Sequence, residues 1–182
     1  MAYVAKSISK YLLSLPKPYF SPAINLKKSN ISGFGLSAKR SISYGEILII
    51  QRGPVVNLKF IKKIEKSTGY DCNLCVGRNK YLLHAPLNKK YQGGYINHSC
   101  SPNVGLIADG VWVAIQNIKI GEEICCDYGT FETFPEWTMS CHCNSKDCRK
   151  IITSEDYLIP RLIKRLEKWY APYLRKELKL NN

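Results

Sequence analysis

An α+β fold, mainly β and divided among several small sheets, is what this 182-residue sequence predicts. Three observations carry that reading. Short β-rich runs alternate with turns from Ala23 to Val56, and Val104 to Ile118 reads as a hairpin. Asp109-Gly110, a favoured two-residue hairpin turn, joins the two strands of that hairpin. Helical spacing is confined to short segments at 7–15 and 58–66 and to residues 154–180.

Taken in order, Ser7 to Leu15 reads as a short helix stopped by Pro16, with Tyr11, Leu12 and Leu15 on one face. Ile24-Asn25-Leu26 and Leu36 to Ala38 read as strands on either side of Gly33-Phe34-Gly35, and Ile47 to Ile50 as a buried strand after the Tyr44-Gly45 turn. Leu58 to Lys66 is a basic helix. Tyr70 to Val76 is a strand with Tyr70, Cys72, Leu74 and Val76 on one face and Cys75 on the other. Tyr81 to Ala85 is a further strand, and it carries His84. Val104 to Ala108 and Val111 to Ile115 form the hairpin. From residue 154 one helix runs towards Pro172 and a second follows it. Leu158, Leu162, Ile163, Leu166 and Trp169 make an apolar stripe that packs on the body of the domain.

The length suits one domain with appended elements. We expect an N-terminal extension at 1–20, a main domain at 21–130, a cysteine-bearing segment at 131–152 and a helical extension at 153–182. No apolar run reaches the roughly 18 residues of a membrane span. Lys6, Lys10, Pro16, Lys17 and Pro18 interrupt the start, which lacks the pattern of a secretory signal, so a soluble protein of cytoplasm or nucleus is expected. The formal charge of +13 fits contact with nucleic acid, chromatin or another polyanion, and fits equally a lysine-rich solvated surface. Its scatter argues against a dedicated binding arm. Eight cysteines in such a chain point to zinc and buried thiols before disulfides.

Three stretches carry chemistry. Asn97-His98-Ser99-Cys100-Ser101-Pro102-Asn103 sets an amide, an imidazole, a hydroxyl and a thiol side by side, then ends in turn residues. Gly121 to Gly129, GEEICCDYG, opens on a turn and crosses an apolar strand that ends at Asp127-Tyr128-Gly129, with Tyr128 as the last strand residue before the glycine. Cys141, Cys143 and Cys148 supply three thiolates where structural zinc takes four ligands. From spacing alone Cys100, His142, Cys72 and Cys75 compete for the fourth place. Cys72 and Cys75 diverge if they lie on a strand, and His142 sits awkwardly between two ligands. Lys146, Arg149 and Lys150 would offset the thiolate charge, and Asn144 suits a turn with positive φ.

The order of these motifs, with Ser32-Gly33-Phe34-Gly35-Leu36 and Gly45-Glu46-Ile47 ahead of them, resembles the SET-domain protein lysine methyltransferases that carry a post-SET zinc segment. The resemblance covers residues 20–152. It implies the SET fold of small sheets with a knot-like C-terminal threading. It implies Cys100 as the fourth ligand of a structural zinc with Cys141, Cys143 and Cys148. It implies a pocket for S-adenosylmethionine built from Gly33, Phe34, Gly35, Tyr70, Asn97, His98 and Tyr128, with His98 acting partly through its main chain. Tyr128 and Tyr70 stand in the catalytic positions, and Tyr70, Cys126 and Tyr128 border the target-lysine channel. Where many relatives have an Arg that helps hold the cofactor, this chain has Gly94, which offers no side chain for that task.

The implied reaction is displacement at a sulfonium methyl by a neutral lysine amine. A lysine titrates near ~10.4 in water, so a channel that strips water from it favours the nucleophile, and alignment supplies much of the rate. Tyr128 would orient the reacting groups. A phenol near pKa ~10 is poorly suited to act as a base. Cys126 falls where relatives carry Phe or Tyr, whose size governs how many methyl groups fit, so a di- or trimethylated product is expected. Trp137 or Ile151 would close over the cofactor or channel. The implied partner is a protein with a target lysine, histone tails being the family default. The runner-up readings are a SET module that binds a partner without turnover and a basic nucleic-acid-binding zinc protein.

Overall fold

The computed structural model describes residues 18–68, 73–83 and 94–180. The expected helix at 7–15, Tyr70, Cys72 and His84 lie outside the described residues. The first sheet sets Tyr19–Phe20 (β1), Ile47–Ile50 (β4), Val111–Ala114 (β10) and Val104–Ala108 (β9) side by side, all antiparallel. Its hairpin turns where expected, with Gly110 at φ +72°. The second sheet has Ile24–Lys28 (β2), Phe34–Ala38 (β3), Glu123–Cys126 (β11) and Asn97–His98 (β8) in that order. The last pairing is parallel, Cys125 opposite Asn97 and Cys126 opposite His98. Two segments far apart in sequence are thereby laid against each other, and they are the two that carry the motifs.

A third sheet holds Val55–Val56 (β5), Lys80–Leu83 (β7) and Asn73–Gly77 (β6), and a fourth pairs Thr138–Ser140 (β12) with Ile151–Thr153 (β13). Among the described residues the helices are Leu58–Thr68 (α1), Pro160–Leu166 (α2) and Pro172–Glu177 (α3), with single 3₁₀ turns at Tyr128–Thr130, Asp156–Leu158 and Glu167–Trp169.

The main core joins side chains of the first two sheets: Leu36, Leu48, Ile49, Leu106 and Ile124 are fully buried and belong to one cluster. Truncating any of these to Ala would cost about 2–5 kcal/mol. Satellite clusters lie under α1, around Ile61, Cys75, Tyr81 and Leu83, and under the C-terminal helices, around Leu162, Leu166, Tyr170 and Leu174.

Two expectations need correction. The helix expected from residue 154 is broken: Ile159, at φ −67° and ψ 115°, is extended because it precedes Pro160, and α2 starts only at that proline. Leu158 therefore leaves the apolar stripe and stands 51% exposed, while Leu162 and Leu166 are buried as the spacing predicts. Second, Tyr128 does not end a strand. It opens a 3₁₀ turn whose N-cap is Asp127, the Asp127 carboxylate accepting the Gly129 N–H.

Candidate functional site

The parallel pairing of β8 with β11 builds the site. Beyond it, the Ser99 N–H donates to Cys126 O and the Asn103 N–H to Cys125 O, so the 97–103 loop follows β11 along its edge. The Asn103 side chain locks the same junction, accepting the Cys125 N–H at 2.8 Å and donating to Glu123 O at 2.7 Å.

Asn97 donates from Nδ2 to Ser32 O (3.2 Å), Phe34 O (3.1 Å) and Glu123 Oε1 (2.8 Å). This draws the Gly33-Phe34-Gly35 segment onto β8. Gly35 leaves room for this arrangement: a Cβ there would lie 2.2 Å from Glu123 Oε1 and 2.9 Å from Asn97 Nδ2 and would push these side chains aside. Gly33 sits at φ +49° with open space beside it, and the Phe34 ring is 57% exposed. The structure thus gathers Gly33, Phe34, Gly35 and Asn97 at one edge, with His98 next in chain. The His98 side chain is buried, so any ligand at that edge meets its backbone only.

Tyr128 is half-buried at the centre. Its hydroxyl donates to Ile96 O at 2.9 Å, and its ring meets those of His98, Phe131 and Trp137 at 5.2, 5.5 and 6.0 Å. A cavity of about 90 Å³ opens here, walled by Tyr128, Cys126, Trp112, Phe131, Glu132 and Trp137 among others. Cys126 and Tyr128 share this wall although Tyr128 has left the strand for a 3₁₀ turn. Burial holds the Cys126 thiol well above its ordinary pKa, so it is a small neutral surface. Cys125 is buried but does not line the cavity. Gly94 does line it. Of the two candidates to close the site, Trp137 reaches the cavity and Ile151 remains 61% exposed.

Nothing in the sequence motifs pointed to Trp112, Phe131 and Glu132. Trp112 comes from β10, fixed by its indole N–H donating to Gln51 Oε1 at 2.8 Å. Glu132 Oε1 accepts the Phe134 N–H at 2.7 Å and the Cys75 thiol at 3.3 Å. Cys75 belongs to the satellite cluster under α1 and has no part in the sulfur cluster.

The four sulfurs of Cys100, Cys141, Cys143 and Cys148 lie within 4.8 Å of one another. A tetrahedral zinc with bonds of about 2.3 Å separates its sulfurs by roughly 3.8 Å, and Cys100 and Cys141 stand 3.9 Å apart. The set fits such an ion. His142 is exposed and outside it. Burial lifts the Cys100 thiol to about 11 against the opposing Arg149 N–H, which donates to its sulfur at 3.3 Å. Burial also works to raise Cys143, yet bonds from the Ser145 hydroxyl (3.3 Å) and the Cys100 N–H (3.5 Å) bring it down to about 6. Asn144 takes the left-handed turn expected of it, at φ +54°.

Arg149 offsets the Cys100 thiolate as expected, its charge working to lower that thiol. It does more than the spacing indicated: its guanidinium also binds two buried carboxylates, bidentate to Asp127 at 2.8 and 2.6 Å and to Asp156 at 2.7 Å. Asp127 is fully buried next to Tyr128, so the clasp ties the Tyr128 turn to the cysteine segment and the C-terminal turn. Gly129 permits the approach: a Cβ there would meet Asp156 Cβ and Leu162 Cδ2 at 2.9 Å.

Small sheets, two remote segments paired in parallel, a tyrosine-lined cavity and a four-cysteine cluster together define the architecture. The chain belongs to the SET domain family, which it matches over residues 33–129. It is similar, at 27% identity over 142 residues, to histone-lysine N-methyltransferase ASHH2 of Arabidopsis thaliana, covering 69% of this chain and 8% of that protein. Human histone-lysine N-methyltransferase 2B is 29% identical over 140 residues, covering 71% of this chain and 5% of that protein. The "Probable histone-lysine N-methyltransferase set-23" of Caenorhabditis elegans is 27% identical over 136 residues, covering 66% of this chain and 55% of that protein. The chain therefore spans about half of the worm protein and a small part of the other two.

Proposed function

We propose that this chain transfers methyl groups from S-adenosylmethionine to the ε-amine of a protein lysine, with histone tails as the first substrate class to test. The observation that carries the reading is the position of Tyr128, where the cavity, the 96–100 segment and the cysteine cluster meet. The names of the three relatives support it.

When bound, S-adenosylmethionine supplies a sulfonium methyl group as the electrophile. The edge formed by Gly33, Phe34, Gly35 and Asn97 with the His98 backbone would hold it. The cavity would take the lysine, its Trp112, Phe131 and Trp137 walls stripping water from the amine so that the neutral form is favoured. Tyr128 would orient the amine and contribute electrostatically from a phenol already anchored to Ile96 O. Tyr70 would complete the channel. Cys100, Cys141, Cys143 and Cys148 would hold a structural zinc, pinning Trp137 and its neighbours over the site. The described helices include none long and apolar enough to cross a membrane, and we propose action in nucleus or cytoplasm.

Transfer of labelled methyl from S-adenosylmethionine to mixed histones and to cell lysate tests the proposal. Transfer that Tyr128→Phe reduces by about 10²-fold supports it, the scale for losing one oriented polar group at a reacting centre. Folded, zinc-loaded protein that transfers nothing to either would favour a binding module.

A further inference from the structure

The proposed reaction uses the His98 backbone and leaves its imidazole without a task, yet that ring is buried and engaged at both nitrogens. The Tyr128 N–H donates to Nδ1 at 3.1 Å. Nδ1 must therefore be unprotonated, which puts the proton of the neutral ring on Nε2. Nε2 lies 3.3 Å from Cys100 Sγ, and so donates to it. Asp127 does not reverse this tautomer: its Oδ1 is 3.9 Å from Nδ1 and already accepts the Gly129 N–H and Arg149.

We propose that His98 is a positioning residue that couples metal occupancy of the four-cysteine site to the placement of Tyr128. The proposal rests on the reading of Cys100, Cys141, Cys143 and Cys148 as zinc ligands. A metal-bound Cys100 is a thiolate, and a hydrogen bond to an ionised acceptor is roughly twice as strong as one between neutral groups. Metal binding then tightens the Nε2–H bond and fixes the ring. The ring in turn fixes Tyr128 twice, through the Nδ1 bond to its backbone and through an edge contact with its aromatic ring, centroids 5.2 Å apart at 63°. The phenol hydroxyl is held by Ile96 O, two residues before His98. The cysteine cluster thus does more than staple the C-terminal segment. It sets the angle at which the phenol enters the cavity.

Two substitutions separate the halves of the link. His98→Asn keeps an acceptor near the Nδ1 position and loses the reach to Cys100. His98→Gln keeps a donor near the Nε2 position and loses the acceptor for Tyr128. With cobalt(II) in the cysteine site, His98→Asn should move the sulfur-to-metal charge-transfer band to longer wavelength. It should also weaken metal affinity by about 10- to 100-fold, the usual effect of removing a hydrogen-bond partner behind a ligand. His98→Gln should leave band and affinity near those of the unaltered protein. In the unaltered protein, zinc titration should move the backbone amide resonance of Tyr128 while resonances of the Val104–Ala114 hairpin stay in place, and either substitution should abolish that movement. An unchanged cobalt band and affinity in His98→Asn would overturn the coupling. So would a Tyr128 resonance indifferent to zinc in the unaltered protein, a result that stands even if both variants fail to fold. Unaltered protein that takes up no metal overturns the zinc reading and the coupling together. Metal uptake with the expected shifts but no methyl transfer upholds the coupling and sinks the enzyme reading instead.

Discussion

At the scale of single residues the cavity wall is most informative at Cys126. Its thiol is small, neutral and 1% exposed, and it shares the cavity with Tyr128. A reaction run to saturation should yield di- or trimethyl-lysine by mass spectrometry, and Cys126→Tyr, which fills that wall, should stop it at monomethyl-lysine. A saturated reaction of the unaltered protein that stops at one methyl group would refute the account of Cys126. Asn97, His98, Cys126, Tyr128 and three of the cysteines stood out because each sits in a short run of chemically unusual residues, whereas the choice of Cys100 as fourth sulfur rested on the resemblance and not on spacing. Trp112, Phe131 and Glu132 were not legible. An indole on β10 or a carboxylate in a loop looks like scaffold until the sheets bring it to the cavity.

Among elements, the clasp of Arg149 with Asp127 and Asp156 is the joint between β11, the cysteine segment and the C-terminal turns. All three side chains are at least nine-tenths buried, so removing the cation takes from two buried carboxylates their closest counter-charge, Asp127 keeping, among the described residues, only Arg165 at 3.8 Å. Arg149→Met should cost about 3–5 kcal/mol, the scale for breaking a buried pair. At about 2–4 °C per kcal/mol for a chain of this size, Tm should fall by roughly 10 °C in a thermal melt. A fall of under about 2 °C would mean that the ion cluster contributes little beyond what it costs to bury. The sequence offered Arg149 only as a counter-charge for thiolates, since nothing in its spacing pairs it with Asp127. Element boundaries failed for similar reasons. β12 and β13 are three residues each, too short to show a period, and the C-terminal stripe ran on through Ile159 although the following proline forbids it.

Over the whole molecule, the fold class was legible from alternation, hairpin turn and motif order, while the division of the described residues into four sheets depends on long-range pairings such as β8 with β11. The charge of +13 acts at this scale too. Lys59, Lys62, Lys63 and Lys66 stand exposed on one face of α1, the opposite side of which buries Ile61. Binding to a mixed-sequence DNA duplex should weaken as salt rises. Each lysine of the row that neutralises a phosphate should make the log–log slope shallower by about 0.9 when it is changed to Ala. A slope unaffected by changing all four would mark the row as a solvated surface. Tyr128 stands where two remote segments and a sulfur cluster meet. The most direct test of its role is amino-acid analysis of a protein substrate after incubation with methyl-labelled S-adenosylmethionine, using the unaltered protein and Tyr128→Phe in parallel. Label should be recovered as N-methyl-lysine, with about 10²-fold less of it from the variant; label on any other residue, or equal methyl-lysine from both proteins, would rule out this role for Tyr128.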